Sequence, residues 1–303
     1  MKVLLFDADL KMPNLALMKL SAYYKAMGYD VELNFPMGEY DEVFASCVFT
    51  KNRHLVETLP FKVIGGGTGW DIHASLQPDI EHLMPDYDLY NCNYSVGFTS
   101  RGCIRRCPWC IVPQKEGDIQ DWAEIYEFWD RRHRKIVLLD NNLLAAPNWK
   151  STLRDLARER VMVDFNQGLD IRLVDDEVAW SLKQTQLTRW LRFAFDEPSM
   201  EQQVREGIRI LEQAGIPPSR LWFYMLIGFD TTFEQDVERL GVLEGLGCEV
   251  FAMGYQEVNG VKPRLPWGGP GTLQEFGRWI NVKQLHRHMT YKEWLRMRKA
   301  ENR

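Results

Sequence analysis

No apolar run in the 303 residues approaches the roughly 18 that a membrane span requires. The opening stretch, MKVLLFDADL, turns acidic too soon for a secretory signal and reads as a first strand, so a cytoplasmic protein with no membrane partner is expected. Basic excess is missing as well. The net charge is −5 and the pI is near 5.8, so bulk electrostatics give no reason to expect nucleic-acid binding, a local basic face aside. A disulfide framework is also absent: of six cysteines, three are clustered and Cys47, Cys92 and Cys248 are scattered, which suits buried small apolar groups. The glycine run Gly65-Gly66-Gly67-Thr68-Gly69 has no Lys-Ser/Thr pair after it and so is no phosphate loop; it reads as a tight turn. An apolar fraction of 45% and a charged fraction of 26% leave an ordinary globular chain, long enough for one large α/β domain or for a small domain plus a larger one.

What the chain does have is SVGFTSRGCIRRCPWCIVPQKEG, residues 95–117, with Cys103, Cys107 and Cys110 spaced C-x3-C-x2-C. One short loop with that spacing can offer three thiolates to a metal centre from one side. Zinc and iron–sulfur cubes usually take four protein ligands, and no obvious fourth follows here. The fourth position is therefore either open, as in reactive sites, or filled from a distance by His133 or Cys92 in a structural zinc knob.

With Trp109 just before the last cysteine, this spacing resembles the signature of the radical S-adenosylmethionine (radical SAM) enzymes. Arg101-Gly102, Pro113 and Gly117 resemble the methylthiotransferase-like and cobalamin-domain branches in particular. The resemblance implies a [4Fe–4S] cluster on Cys103, Cys107 and Cys110. Its unique iron would be chelated by the amino and carboxylate groups of SAM, with Trp109 near the adenine. It implies reductive cleavage of SAM to a 5′-deoxyadenosyl radical that takes hydrogen from a substrate, and an electron donor such as a flavodoxin or ferredoxin. The substrate stays open among RNA, peptides and small molecules. Methylthiolation needs a second cluster, and no second cysteine trio is present.

Taken in order, residues 2–7 read as a buried strand, Pro13 as the opening of a helix closed by Gly28, and residues 31–35, 43–49 and 61–64 as further strands. That rhythm predicts a Rossmann-like domain over 1–88. It resembles the cobalamin-binding module that precedes some radical SAM domains, but FDADLKMPNL after the first strand lacks that module's histidine. Asp71-Ile72-His73 follows the wrong strand and lacks the glycine. A degenerate domain without cobalamin is expected.

Over 89–258 strands and helices alternate. Strands are expected at 95–99, 135–139, 161–165, 190–195, 221–227 and 250–253, and helices at 121–134, around Trp149, at 175–184, after Ser199 with Gln202 as a capping box, and after Thr232 with Gln235. Six strands in that order predict a parallel barrel or part of one, with Asp140, Asn166, Asp196, Asp230 and Gln256 at the strand ends where barrel enzymes keep their sites. The order also matches the partial (β/α)6 barrel of the radical SAM enzymes. By that resemblance Asp140 and Asn141 meet the methionyl amino group, Gln167 and Asp196 approach the ribose and carboxylate, and Met225 to Gly228, with Ile227 and Gly228, line the adenine. Asp140-Asn141-Asn142 replaces the family's usual Gly-Gly-Glu.

Residues 259–303 form the remainder. The Pro/Gly-rich stretch 259–272 reads either as a lid over a barrel mouth or as a linker to C-terminal helices. Residues 283–303 mix Lys, Arg and His with Tyr291 and Trp294, which fits a solvated helix face or a surface that tracks phosphates. The rival to the enzyme reading is a non-catalytic zinc or iron–sulfur module with an interaction role.

Overall fold

The computed structural model describes residues 1–10, 12–257 and 261–301. Asn259 and Gly260 of the expected lid and Arg303 of the basic end lie outside the described residues. The chain is a mixed α/β protein built on parallel sheets and forms two compact units, Met1–Thr99 with Asp121–Leu139, and Ser100–Gln120 with Asp140–Arg303.

In the first unit Asp30–Leu33, Lys2–Asp7, Glu42–Ser46 and Ile64–Gly66 lie side by side in that order, all parallel. Val3, Leu4 and Leu5 are fully buried, as a central parallel strand covered on both faces requires. The crossover helix is Leu15–Ala26, capped by Asn14, whose side chain accepts from Leu17 N at 3.2 Å. It packs Leu17, Leu20 and Tyr24 on Val3 and Leu5, each such burial worth about 1.5–3 kcal/mol. The fourth strand falls two or three residues later than 61–64. Phe44 pairs with Ile64 and Ser46 with Gly66, and a Cβ on Gly65 would stand 2.2 Å from the Trp70 indole. Glycine is therefore used inside the strand for close approach, which periodicity reads as a turn.

At the end of the first strand the buried Asp7 carboxylate accepts from Asp9 N at 3.0 Å and from the Tyr90 hydroxyl at 2.7 Å. Gly67, at φ +93°, brings its backbone so close to Cys47 that a Cβ would meet that carbonyl oxygen at 2.5 Å.

Ser95–Gly97 and Lys135–Leu138 form a parallel pair in the same unit. The helix expected over 121–134 is absent; only a single 3-10 turn, Ile125–Glu127, stands there. Of the apolar stripe expected there, Trp122, Ile125, Tyr126 and Trp129, only Ile125 and Trp129 are buried, with Phe128 beside them, and the backbone partners are taken elsewhere. The Phe128 carbonyl accepts from the Tyr87 hydroxyl, Asp130 N donates to Ser95 Oγ at 2.9 Å, and Arg132 N donates to Asp130 Oδ1 at 2.9 Å. Helix propagation needs those groups free.

The second unit alternates helix and strand: Trp149–Glu159, Met162–Phe165, Asp176–Gln184, Leu191–Ala194, Glu201–Gln213, Leu221–Ile227, Phe233–Gly245 and Glu249–Gly254. The last three strands form a parallel sheet with Phe193 beside Phe223 and Phe223 beside Val250. Met162–Phe165 pairs with Gln186–Leu187, and Leu169 bridges to Phe193, again parallel. Thr232 and Gln235 form the expected capping box. Ser199 and Gln202 do not: Pro198 starts a 3-10 turn, Pro198–Met200, and Ser199 Oγ turns to Glu197 at 3.1 Å. The chain closes with Leu273–Asn281, Lys283–His286 and Tyr291–Glu301. Trp267 packs edge-on to Phe233 at 5.5 Å and donates to Asp236 at 3.0 Å.

Candidate functional site

The cysteine loop belongs to the second unit, and two carboxylates pin it. At its base Glu116 accepts from Arg101 at 3.0 Å, from Gly102 N at 3.4 Å and from Asn141 at 2.9 Å. Near its tip Arg105 donates to Asp170 at 2.9 Å. Asp170 also takes two bonds from Arg172, at 2.6 and 3.0 Å. Burial alone would raise the Asp170 carboxyl, but the two guanidinium groups outweigh it and hold it below the usual range. Gly102 turns the entry at φ +77°, where a Cβ would meet the Asp118 carbonyl oxygen at 2.2 Å. Between these pins Cys110 N donates to the Cys107 carbonyl at 3.0 Å, a tight turn over Pro108-Trp109.

All three thiols are free and half-buried. Burial, with the negative charge of Cys110 second, pushes Cys107 up to about 12, and burial pushes Cys110 up as well. Arg172 opposes the rise at Cys107, and the charge of Asp196 adds to it at both cysteines. Left to the protein, the Cys107 and Cys110 thiols stay protonated; a bound cationic centre would supply the missing compensation. Among the described residues no three His, Cys, Asp or Glu side chains are gathered closely enough for a single metal ion.

Asn142 is the residue that sequence reasoning passed over. It is 3% exposed, its Nδ2 donates to Cys103 Sγ at 3.4 Å, and its Oδ1 is buried with no hydrogen-bond partner. An orphaned amide oxygen beside a thiol is costly, about 1–3 kcal/mol, unless something fills it. The donor set, three free thiols with one unsatisfied amide beside them, thus fits a thiolate-held cluster with a further polar ligand.

The other expected residues have varied places. Asp140, 4% exposed, accepts from Ser100 N at 2.6 Å and Ser100 Oγ at 2.7 Å, which anchors the loop entry. Asn141 is bound to Glu116, as above. Trp109 packs edge-on to Phe229 at 5.3 Å, which brings it against the segment after Ile227 and Gly228. Ile227 is fully buried and exposes no side chain to a ligand. Gly228, at φ +79°, donates to Asp236 at 3.2 Å, and a Cβ there would strike Leu273. Gln167 is exposed and has no described contact in the site. Asp196 accepts from Leu226 N at 2.9 Å, and burial raises its carboxyl above the ordinary range.

Beneath these strand ends lies a buried ion pair that no sequence signal announced. Arg239, 2% exposed, pairs with the fully buried Asp236 and donates to the carbonyls of Phe195 and Leu226. It ties the ends of two strands and thereby sets Asp196.

His133, a candidate fourth ligand for zinc, has both ring nitrogens engaged. Nε2 lies 3.0 Å from the Cys92 carbonyl and must donate, so Nδ1 accepts from Ser95 Oγ at 3.0 Å. Neither nitrogen is left for a metal.

No helix among the described residues is long and apolar enough to cross a membrane. No family model matches the chain. No curated protein matches it either. Among solved structures, the chain is similar to the apo, selenomethionine-labelled cobalamin-dependent S-adenosylmethionine radical enzyme OxsB, at 12% identity and a TM-score of 0.40. The match takes in 93% of this chain and 55% of that one, so the chain spans little more than half of that protein's length.

Proposed function

We propose that the chain is a radical SAM enzyme with a partial (β/α)6 barrel over residues 89–258 and a [4Fe–4S] cluster on the cysteine loop. The observation that carries the reading is the pinned C-x3-C-x2-C loop, with three free thiols and the unsatisfied Asn142 amide beside the first of them. Cys103, Cys107 and Cys110 hold the cluster. A structural zinc site would need a fourth protein ligand, and His133, one of the two candidates, has both ring nitrogens engaged, whereas three thiolates suffice for a cluster with one open iron.

When bound, the cluster would supply one electron for reductive cleavage of the sulfonium S–C5′ bond of SAM, and with it a radical able to take hydrogen from a substrate. The protein's own residues prepare for this. Glu116 and Asp170 fix the loop at both ends. Asn142 donates to a cluster thiolate and offers Oδ1 to the SAM amino group, in the place first given to Asp140 and Asn141. Arg172, near Cys107, offers a cation to the SAM carboxylate. Trp109 with Phe229 forms an apolar wall for the adenine, next to the backbone of Ile227 and Gly228. Asp196 faces the same thiols and, with Gln167, is assigned to the ribose side. Cobalamin has no part in this reading, since Asp7 is already bound to Tyr90 and no histidine follows the first strand. A flavodoxin or ferredoxin supplies the electron, and the substrate is an RNA, a peptide or a small molecule.

Anaerobic reconstitution with iron and sulfide tests the cofactor assignment. About four irons and four sulfides per chain are expected, with a broad absorption near the visible region that reduction bleaches. Tight zinc without sulfide overturns the reading.

A further inference from the structure

The C-terminal segment is charged unlike the rest of the chain. Residues 283–303 carry seven Lys and Arg against two Glu, a net +5, so residues 1–282 carry −10 of the total −5. Such segregation points to a polyanionic partner when the cations are presented together.

They are presented together. The helix Tyr291–Glu301 packs inward through Tyr291, Trp294 and Leu295, which are 4–6% exposed, and Arg298 is spent on Glu275 at 3.3 Å. Lys292, Arg296 and Lys299 are all exposed and stand at i, i+4 and i+7 of that helix, so they form one outward row. At about 1.5 Å of rise per residue the row spans about 10 Å. Among the described residues none of the three has an ion pair within 4.0 Å; Glu293 caps Thr290, and the charge of Arg296 adds to the lowering of its carboxyl. Some exposed cations elsewhere in this unit are paired, Lys150 with Glu177 at 2.6 Å and Arg205 with Glu201 at 2.8 Å.

We infer that this row is a docking surface for the phosphate backbone of a nucleic acid. A membrane surface would need an apolar stripe beside the cations, and the helix has already buried its aromatics against the protein. Three exposed cations in one row about 10 Å long suit the run of negative charge along a phosphate backbone. The inference is independent of the cluster.

The test uses the full chain without iron and fluorescently labelled 20-nucleotide single-stranded RNA, duplex RNA and duplex DNA, with anisotropy read across a salt series. Binding near ~10⁻⁵ M at 50 mM salt is expected for at least one of them. The log–log salt slope should lie at about −2 to −3, from three contacts at roughly 0.7–0.9 each. K292Q/R296Q/K299Q should lose more than tenfold and flatten the slope, and R296Q alone should reduce the slope by about one. K150Q/R154Q/R205Q, with the same change in net charge, should bind as the parent does. The inference is overturned if no oligonucleotide binds at 50 mM salt or if both triple variants lose equally. It is also overturned if phosphatidylserine vesicles bind as tightly through the same three residues.

Discussion

Asn142 Nδ2 stands 3.4 Å from Cys103 Sγ, and the other end of the same buried amide is unpaired. One side chain therefore faces a proposed cluster ligand with its donor and holds its acceptor in reserve. A hydrogen bond to a cluster sulfur stabilises the reduced, more negative state and raises the potential. Asn142→Leu should keep the three thiols and the cluster but shift its midpoint to a more negative value. SAM cleavage should fall about 10–100-fold, the usual cost of losing a partner to a metal ligand. A potentiometric titration followed by EPR checks the direction; an unchanged midpoint with unchanged turnover would remove Asn142 from the site.

Gly102 and Gly117 make a controlled pair. Both have positive φ, +77° and +73°, but a Cβ on Gly102 meets a backbone oxygen at 2.2 Å and one on Gly117 meets nothing within 4 Å. Gly117→Ala should cost only the left-handed strain, about 1–2 kcal/mol, and retain iron. Gly102→Ala should displace the loop entry and lose most of the iron while circular dichroism stays unchanged. Equal iron contents in the two variants would show that the entry turn does not position the thiols.

The Asp170 clamp carries a pH signature. Arg172 and Arg105 hold its carboxyl below the ordinary range against the effect of burial. A carboxyl depressed in the folded state contributes stability above its unfolded pKa of about 3.9 and loses it as pH falls through the lower folded value. The parent should therefore lose more stability than Asp170→Asn when urea unfolding is moved from pH 6 to pH 3. At pH 7 the variant should be weaker by about 1–3 kcal/mol, the worth of charge-assisted bonds. Parallel pH profiles for the two proteins would refute the clamp.

Asp236 and Arg239 are buried together, and removing one charge strands the other. Asp236→Ala should cost about 3–5 kcal/mol in urea unfolding. Replacing both with Asn and Met should recover part of that loss. If the double variant is no better than the single, the two residues do not act as a pair.

Much of this was legible in residue order alone. The cysteine spacing marked the loop, and period and caps located most strands and helices, including the Thr232–Gln235 box. Three kinds of contact were not legible. A 3-10 turn replaced a helix at 125–127 because Tyr87 and Ser95, distant in sequence, took its backbone partners. Gly65 stands inside a strand because the Trp70 indole lies where a side chain would be. In the candidate site, Asp140 and Asn141 are consumed by Ser100 and Glu116, leaving Asn142, one residue on, to face Cys103. Adjacent polar residues after a strand point in different directions, and only the surrounding partners decide which one reaches the site.

The most direct measurement is of 5′-deoxyadenosine released by the anaerobically reconstituted full chain with dithionite and SAM, beside Cys103→Ala treated identically. At least a tenfold excess over that variant is expected if the cysteine loop holds a cluster that cleaves SAM, with methionine formed in equal amount. Equal release from both proteins, with four irons on the parent, would contradict it.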